Sequence, residues 1–367
     1  MTHGAREMDK GFLMLLGGLV LFGFVMLASA SYPLALENFK GNGYYLVVHQ
    51  IIFGLLPGLV GFVVATRIPY GIYRKYAGAM LVASIVLLTL VFIPGLGLTY
   101  GGSQSWINLG AFSLQPSELV KLTFLFYLAA WLEKRSEREL HDFSQGALPF
   151  LCVLGAVALL LILQPDTGTM GIIVAMALAT YFVAGAPVKH LAFFGAIGAA
   201  GLAVLMKLTS YRADRFTTFL HPELDPQGVG YHINQALLAI GSGGLFGRGY
   251  GHSLQKFQYL PEVAGDSIFA VMSEELGFVF IVAFLALYTV FIFRGLKIAD
   301  RAPDPFSRYL VVGIMVWIGV QAIVNIGGMV GLLPITGVVL PFVSYGGTAL
   351  AVSLTAMGVV ANVSRSQ

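Results

Sequence analysis

The sequence predicts an all-α, polytopic integral membrane protein with about ten transmembrane helices, and three observations carry that expectation. Mean hydropathy is +0.83. Only 11% of the 367 residues are charged while 57% are hydrophobic, which lies far outside soluble globular composition. Apolar runs of bilayer-spanning length, roughly 17 to 25 residues, recur along nearly the whole chain. These runs are continuous rather than alternating, so they satisfy their backbone groups as helices and not as barrel strands. Cys152 is alone and mid-helix, which excludes a disulfide framework and a thiolate metal site. The seven histidines show no metal-ligand spacing. The formal charge of +3 is unremarkable, and no nucleic-acid partner is expected.

The spans read as 11–31, 46–66, 77–94, 117–133, 147–163, 168–186, 190–206, 267–293, 309–331 and 347–363. The first is long enough to stay as an anchor instead of being cleaved as a signal peptide. Only "QPDTG" separates the fifth and sixth, which are either two spans or one broken helix with a neighbour. Most of the 21 Lys and Arg fall on the side that carries the N-terminus, leaving Lys40, Lys207, Arg212, Arg215, Arg248 and Lys256 opposite and Lys121 within a span. By the positive-inside rule both termini are cytoplasmic. The chain is expected to form one domain, 1–367, with a large extracytoplasmic loop, 207–266. Loops that long usually carry function.

The fourth span, "LQPSELVKLTFLFYLAAWLEKR", begins with Pro116 in its first turn and Glu118 at the positive dipole end. Lys121 follows three residues later on the same face, about 8 Å into the helix. An intramembrane lysine is costly, so it should face the bundle interior and meet a carboxylate. Glu118 is the nearest partner; Glu274, Glu275 or a bound anion are the alternatives. Trp106, in the preceding loop, is either a membrane-interface anchor or a substrate contact.

The 207–266 loop holds Arg212 and Arg215, three apart and on one face of any helical turn. Two guanidinium forks suit a diphosphate; equally, these cations meet lipid headgroups or pair with Asp214, Glu223 and Asp225. "YHINQALLAIGSGG" reads as an amphipathic helix with Ile233, Leu237 and Ile240 on its apolar face, and Gln235 is a substrate-binding candidate on it. The glycines of "GGLFGRGYG" permit tight turns and close packing, since the stretch lacks the context of a nucleotide loop. Acids then surround the start of the eighth span, "LPEVAGDSIFAVMSEELG", at Glu262, Asp266, Glu274 and Glu275. Asp266 either caps the helix or serves as a general base. Glu274 and Glu275, about 12 Å deeper, form structural ion pairs or support chemistry. The last loop, "MVGLLPITGVVLPFVSYGGTAL", is irregular yet apolar, so it must be buried or line a cavity; Ser344 is its substrate-binding candidate. The simplest assembly has three outer loops and the fourth and eighth spans meeting over an outward-facing cleft.

With these motifs together, the sequence resembles the SEDS family (shape, elongation, division and sporulation), bacterial peptidoglycan polymerases that include FtsW and RodA. The resemblance covers nearly the whole chain through "WINLG…LQPSELVKL", "QPDTGT", "YRADR…FLHPELDPQGVGYH", "AIGSGGLFGRGYG", "YLPEVAGDSIFAVMSEELG" and "GLLPITGVVLPFVSYGG". "SLQKFQYLPE" looks like the division branch, FtsW. The resemblance implies a ten-helix glycosyltransferase of the inner membrane that polymerises lipid II, a disaccharide-pentapeptide on undecaprenyl diphosphate. It implies Asp266 as the essential acid, Glu118–Lys121 as the family's helix pair, Arg212 and Arg215 as loop arginines, and Trp106 as the family Trp. Two departures stand out: Ala264, Gly265 and Ser267 replace the usual His-Thr and Phe around the acid, and Ser105 replaces an Arg.

The chemistry so implied joins C1 of a lipid-linked donor to the 4-hydroxyl of an acceptor, with inversion. Asp266 would be the base, while Arg212, Arg215 and either Lys121 or a divalent cation (Mg or Mn) neutralise the diphosphate. No other cofactor is expected. A class B penicillin-binding protein and other divisome proteins are the implied partners, beside membrane lipid. The alternative is a lipid II flippase, against which stand the one-sided chemistry and the lack of an obvious inverted repeat.

Overall fold

Each apolar run folds as a helix in a computed structural model that describes residues 7–100, 103–110, 112–208, 217–225 and 227–366. The helices are α1 Lys10–Asn38, α2 Tyr45–Arg67, α3 Gly71–Leu90, α4 Pro116–Glu133, α5 Phe143–Leu163, α6 Thr167–Val183, α7 Val188–Leu208, α8 Ile268–Asp300, α9 Pro305–Met329 and α10 Gly347–Arg365. Among the described residues seven of them (α1, α2, α3, α5, α8, α9 and α10) are long and apolar enough to cross a membrane. Of the others, α4 carries three charges, Glu118, Lys121 and Glu133, and α6 is a shorter apolar helix. The chain is a multi-pass membrane protein. "QPDTG" separates two distinct helices, with Asp166 capping α6 through the Thr169 amide at 3.1 Å.

Two helices run well past the apolar stretches that announce them. α1 continues through Pro33 to Asn38, and α8 continues past Arg294 and Lys297 to Asp300. Hydropathy marks the length that lipid can cover; the helix itself ends where caps and backbone bonding end it. Asp9 caps α1 through the Phe12 amide at 2.7 Å, and Asp304 caps α9 through the Ser307 amide at 3.0 Å.

The centre of the bundle is α4, α9 and α10, whose surfaces are mostly buried, while α2 and α3 leave most of theirs outward. α4 packs on α3 and α9, α9 on α6 and α8, and α2 lies along α10. That last contact is a stripe of small residues. Gly54, Gly58 and Gly61 face Gly347, Ala351 and Thr355, and Gly358 faces the Phe62 backbone. Without Cβ atoms the two backbones approach closely, which is how helices gain packing energy where lipid removes the hydrophobic drive.

Two features depart from a plain helical bundle. Residues 97–114 form a small antiparallel sheet of β1 Gly97–Tyr100, β2 Ser103–Asn108 and β3 Ser113–Leu114. It adds a minor element to an otherwise all-α fold. α8 is broken at Gly277, whose φ of 78° and ψ of 174° are non-helical. The break is filled by the glycine-rich loop: Phe278 and Val279 donate to the Gly244 and Leu245 carbonyls at 2.9 and 3.1 Å, and Arg248 and Gly249 donate to the Glu274 and Glu275 carbonyls at 3.0 and 2.9 Å. The glycines therefore serve close backbone packing, as their sequence context suggests.

The loops 91–115, 164–166, 243–267 and 330–346 gather at one end of the bundle. Ser103 Oγ donates to the Gln164 carbonyl at 2.6 Å, the Gln115 amide to Thr348 Oγ1 at 3.4 Å, and the Tyr345 amide to the Ala264 carbonyl at 2.7 Å.

Candidate active site

Asp266 stands just ahead of α8 at the loop-bearing end and is 7% exposed. It lines a narrow crevice with Val324, Asn325, Gly328 and Met329 of α9 and the 335–338 segment. The turn that presents it starts at Glu262, which has a φ of 50°, is exposed, and whose carbonyl accepts the Gly265 and Ser267 amides at 2.9 and 3.2 Å. The N-cap position of α8 falls to Ser267, one residue beyond the expected acid, and that serine makes no side-chain cap. Its hydroxyl instead donates to the Pro261 carbonyl at 2.7 Å and meets His232 Nε2 at 2.6 Å. Because the one hydroxyl proton goes to Pro261, His232 Nε2 is the donor in the second contact. Ser267 Oγ also lies 3.5 Å from Asp266 Oδ1. Ser267 and, through it, His232 thus stand beside the acid.

His232 belongs to the loop helix Val229–Ser242, which packs on α8 and α9. The face of this helix buried against the protein is Ile233, Ala236 and Ala239, while Leu237 of the apolar spacing is exposed. Small alanines let the helix sit close to α8, and Leu237 and Leu238 point away. Gln235 is half-buried on this helix.

The second polar group is centred on Lys121, which is fully buried in α4. Its ammonium donates to Glu118 Oε1 at 2.8 Å and to Gln321 Oε1 at 2.7 Å, and sits 4.7 Å from the Trp317 ring centroid. Trp317 Nε1 donates to the same Gln321 oxygen at 2.8 Å. Of the carboxylates weighed for Lys121, Glu118 is the partner. Helix α4 does not meet α8 over a cleft as expected; α9 stands between them, with Gln321 toward Lys121 and Asn325 toward Asp266. Nearby, Ser117 Oγ donates to Asp166 Oδ2 at 3.0 Å, which joins α4 to the "QPDTG" turn.

Glu274 and Glu275 face a different group. Glu275 accepts from Lys256 Nζ at 2.7 Å and from Ser29 Oγ at 2.7 and 2.8 Å. Glu274 accepts from Ser253 Oγ at 2.6 Å and from the Leu254 and Gln255 amides at 3.0 and 3.2 Å, with Arg248 at 3.6 Å. These acids hold the 247–256 loop against α1 and α8, so of their two readings the structure supports the ion pair. Cations from the loop neutralise them, and each carboxylate is further saturated by hydroxyl or amide donors, as buried charges require.

Ser344 is buried; its Oγ accepts the Leu340 amide at 2.9 Å and its carbonyl accepts Gln50 Nε2 at 3.3 Å. Trp106 is half-buried on β2, opposite Leu98 of β1. Its neighbour Ser105 is buried and bonds Ser103 at 2.9 Å. Arg212 and Arg215 lie outside the described residues. Among the described residues no three His, Cys, Asp or Glu converge as metal ligands.

Sequence reasoning missed Gln321, Asn325, Trp317 and His232. The first three recur every four residues along one face of an apolar helix, and two amides in that setting were a usable signal.

Comparison with known proteins follows the same lines. Residues 10–367 match the family of FtsW, RodA and SpoVE, described as cell cycle proteins. The chain is 41% identical over 347 residues to stage V sporulation protein E of Bacillus subtilis (strain 168), covering 95% of this chain and 94% of that one. It is 38% identical to the probable peptidoglycan glycosyltransferase FtsW of Geobacter sp. (strain M18), covering 97% and 96%. Among solved structures it matches a chain from work on the structural coordination of polymerization and crosslinking by a peptidoglycan synthase complex. That match has a TM-score of 0.81, 30% identity and 98% coverage of each chain. With its motifs, its helices and these relatives in agreement from Lys10 onward, the chain belongs to the FtsW/RodA/SpoVE cell cycle protein family.

Proposed function

We propose that the chain is a peptidoglycan glycosyltransferase that polymerises lipid II on the outer face of the cytoplasmic membrane, in septal wall synthesis. Relatives named as probable FtsW glycosyltransferases support the reaction class, and the neighbour from a peptidoglycan synthase complex supports polymerisation. The observation that carries the proposal is Asp266: a carboxylate-bearing residue in a crevice at the one end where the loops converge. Sugar hydroxyls are poor nucleophiles, so glycosyl transfer needs a base within hydrogen-bond reach of the attacking oxygen.

In this reading Asp266 takes the proton from the acceptor 4-hydroxyl as that oxygen attacks C1 of the donor from the face opposite the diphosphate. The C1–O bond to the diphosphate breaks, its electron pair leaves with the phosphate oxygen, and the anomeric centre inverts. Arg212 and Arg215 neutralise the departing diphosphate, because paired guanidinium forks match its oxygens. The crevice is narrow, so a sugar reaches Asp266 only when the 335–338 segment yields. Glycan strands need crosslinking to become wall, so the partner is a class B penicillin-binding transpeptidase; a neighbour studied for crosslinking as well as polymerization supports it.

The test is glycan synthesis from labelled lipid II by the full chain in vesicles, with the transpeptidase present. Asp266→Asn keeps volume and removes basicity, and the expected loss is on the order of 100-fold or more in polymer formed. Polymerisation by Asp266→Asn at the wild-type rate overturns the assignment. Transbilayer movement of labelled lipid II without any polymer favours the flippase instead.

A further inference from the structure

Helix α9 is apolar over most of its 25 residues, yet it turns two amides, Gln321 and Asn325, into the protein interior. Asn325 is 3% exposed and lines the same crevice as Asp266. Its Nδ2 donates twice, to the Asp266 carbonyl at 2.8 Å and to the Val338 carbonyl at 2.7 Å. These acceptors belong to segments about seventy residues apart in sequence: the turn that bears the acid, and the loop that forms the opposite wall. Gln321, one turn away, donates to the neighbouring Val339 carbonyl at 3.0 Å while its oxygen receives Lys121. The Asn325 Oδ1 is buried and has no hydrogen-bond partner among the described residues.

We infer that Asn325 is a positioning residue for Asp266, an inference that rests on the reading of Asp266 as the catalytic base. A single planar amide with two donors fixes two main-chain oxygens relative to each other and to a rigid helix. The register between the acid and the facing wall then follows from the side-chain geometry of one residue. The neighbouring Gln321 links the same wall to Lys121, so the base and the buried cation are referenced to one helix face. The free Oδ1 adds an acceptor on the crevice wall, suited to a sugar hydroxyl brought in beside the carboxylate. Positioning of this kind acts on rate rather than on affinity, since a misplacement of about 1 Å at a reacting centre costs about 100-fold.

A matched control exists in the same molecule. Asn362 of α10 is also buried, and its Nδ2 also clamps two main-chain carbonyls, Ala65 at 2.8 Å and Ile68 at 2.6 Å, at the opposite end of the bundle. The experiment compares Asn325→Ala, Asn325→Asp and Asn362→Ala in the full chain reconstituted in vesicles with the transpeptidase. It measures kcat and KM for lipid II polymerisation and the thermal midpoint of each protein. Asn325→Asp keeps the volume and replaces two N–H donors with at most one O–H, so the two carbonyls can no longer be clamped together, and it separates hydrogen bonding from packing. Expected are a fall in kcat on the order of 30- to 100-fold for both Asn325 variants, KM within about threefold, and wild-type kcat for Asn362→Ala at a comparable loss of thermal midpoint. Wild-type kcat in Asn325→Asp overturns the inference, as does an equal fall in kcat for Asn362→Ala. Asp266→Asn is run alongside to keep the two claims apart. If it polymerises at full rate, the reading of the site fails; if it is inactive and the Asn325 variants are not, only the positioning role fails.

Discussion

Three groups surround the Lys121 side-chain nitrogen inside the bundle: Glu118 on its own helix, Gln321 on α9, and the face of Trp317. Such a pair contributes little net stability while intact, but removing one member strands the other in a low-dielectric interior. Lys121→Met should therefore lower stability by about 3 to 5 kcal/mol, and Glu118→Leu in the same protein should recover most of it. Thermal unfolding followed by fluorescence-detected gel filtration measures both. A double variant no more stable than the single one would show that Glu118 is not the group left uncompensated. Glu118–Lys121 was legible in the sequence because both residues lie on one helix, three apart, where geometry fixes the pairing in advance. Asp266 was legible for a similar reason, as an acid at a change in hydropathy inside a recognisable motif. Gln321 and Asn325 were not, because neutral amides leave no mark in a charge count and their partners lie up to two hundred residues away. His232 was equally hidden, since its partner Ser267 lies thirty-five residues on.

At the level of elements, the break in α8 shows where pattern reading stops. An apolar run from 267 to 293 reads as one helix, and a single internal glycine costs only about 1 kcal/mol relative to alanine, too little to announce a break. The break arises from tertiary main-chain pairing, with the 244–249 strand of loop taking over donors and acceptors that the helix gives up around Gly277. A Cβ at Gly277 would fall inside contact distance of the Gly247 nitrogen, and its φ of 78° disfavours any side chain. Gly277→Ala should thus cost about 3 kcal/mol or more, shown as a lower thermal midpoint. Gly78→Ala is the contrast: a Cβ there meets nothing within 4 Å on helix α3, and the change should be neutral or favourable by up to about 1 kcal/mol. Equal effects at the two glycines would mean that the 243–256 loop does not dock into the helix as described. The 97–114 sheet escaped the sequence for another reason. Its strands of four, six and two residues are too short to display an alternating pattern, and Ser103 and Gln115 tie it down through residues distant in sequence.

Across the whole molecule, the two ends of the bundle are built differently. One end consists of loops bonded to one another around Asp266, and the other of helix caps and partly exposed ion pairs. Those pairs are Arg74–Glu133 at 2.8 Å, Arg135–Glu139 at 3.3 Å and Arg294–Asp9 at 2.7 Å. The Asp9 amide donates to Ser364 Oγ at 3.1 Å, so residues near both ends of the chain meet at this second end. An even number of crossings, as the ten spans read from the sequence give, puts both termini on one side, and this contact agrees with it. Which end faces the cytoplasm is a separate matter, decided by where cations are retained during insertion. Arg67, Arg74, Lys75, Lys134, Arg135, Arg138, Lys189, Arg294, Lys297, Arg301 and Arg308 flank the helices on the ion-pair end, so that end should be inside and the Asp266 crevice outside. Labelling with a membrane-impermeant maleimide tests this once the native Cys152, which is exposed, is replaced by serine. A cysteine at the exposed Glu223, in the long loop, should react in intact cells; one at the exposed Glu137, between α4 and α5, should react only after permeabilisation. The reverse pattern would put the acid on the cytoplasmic face, and an outward polymerase would then be impossible whatever Asp266 does in a purified preparation.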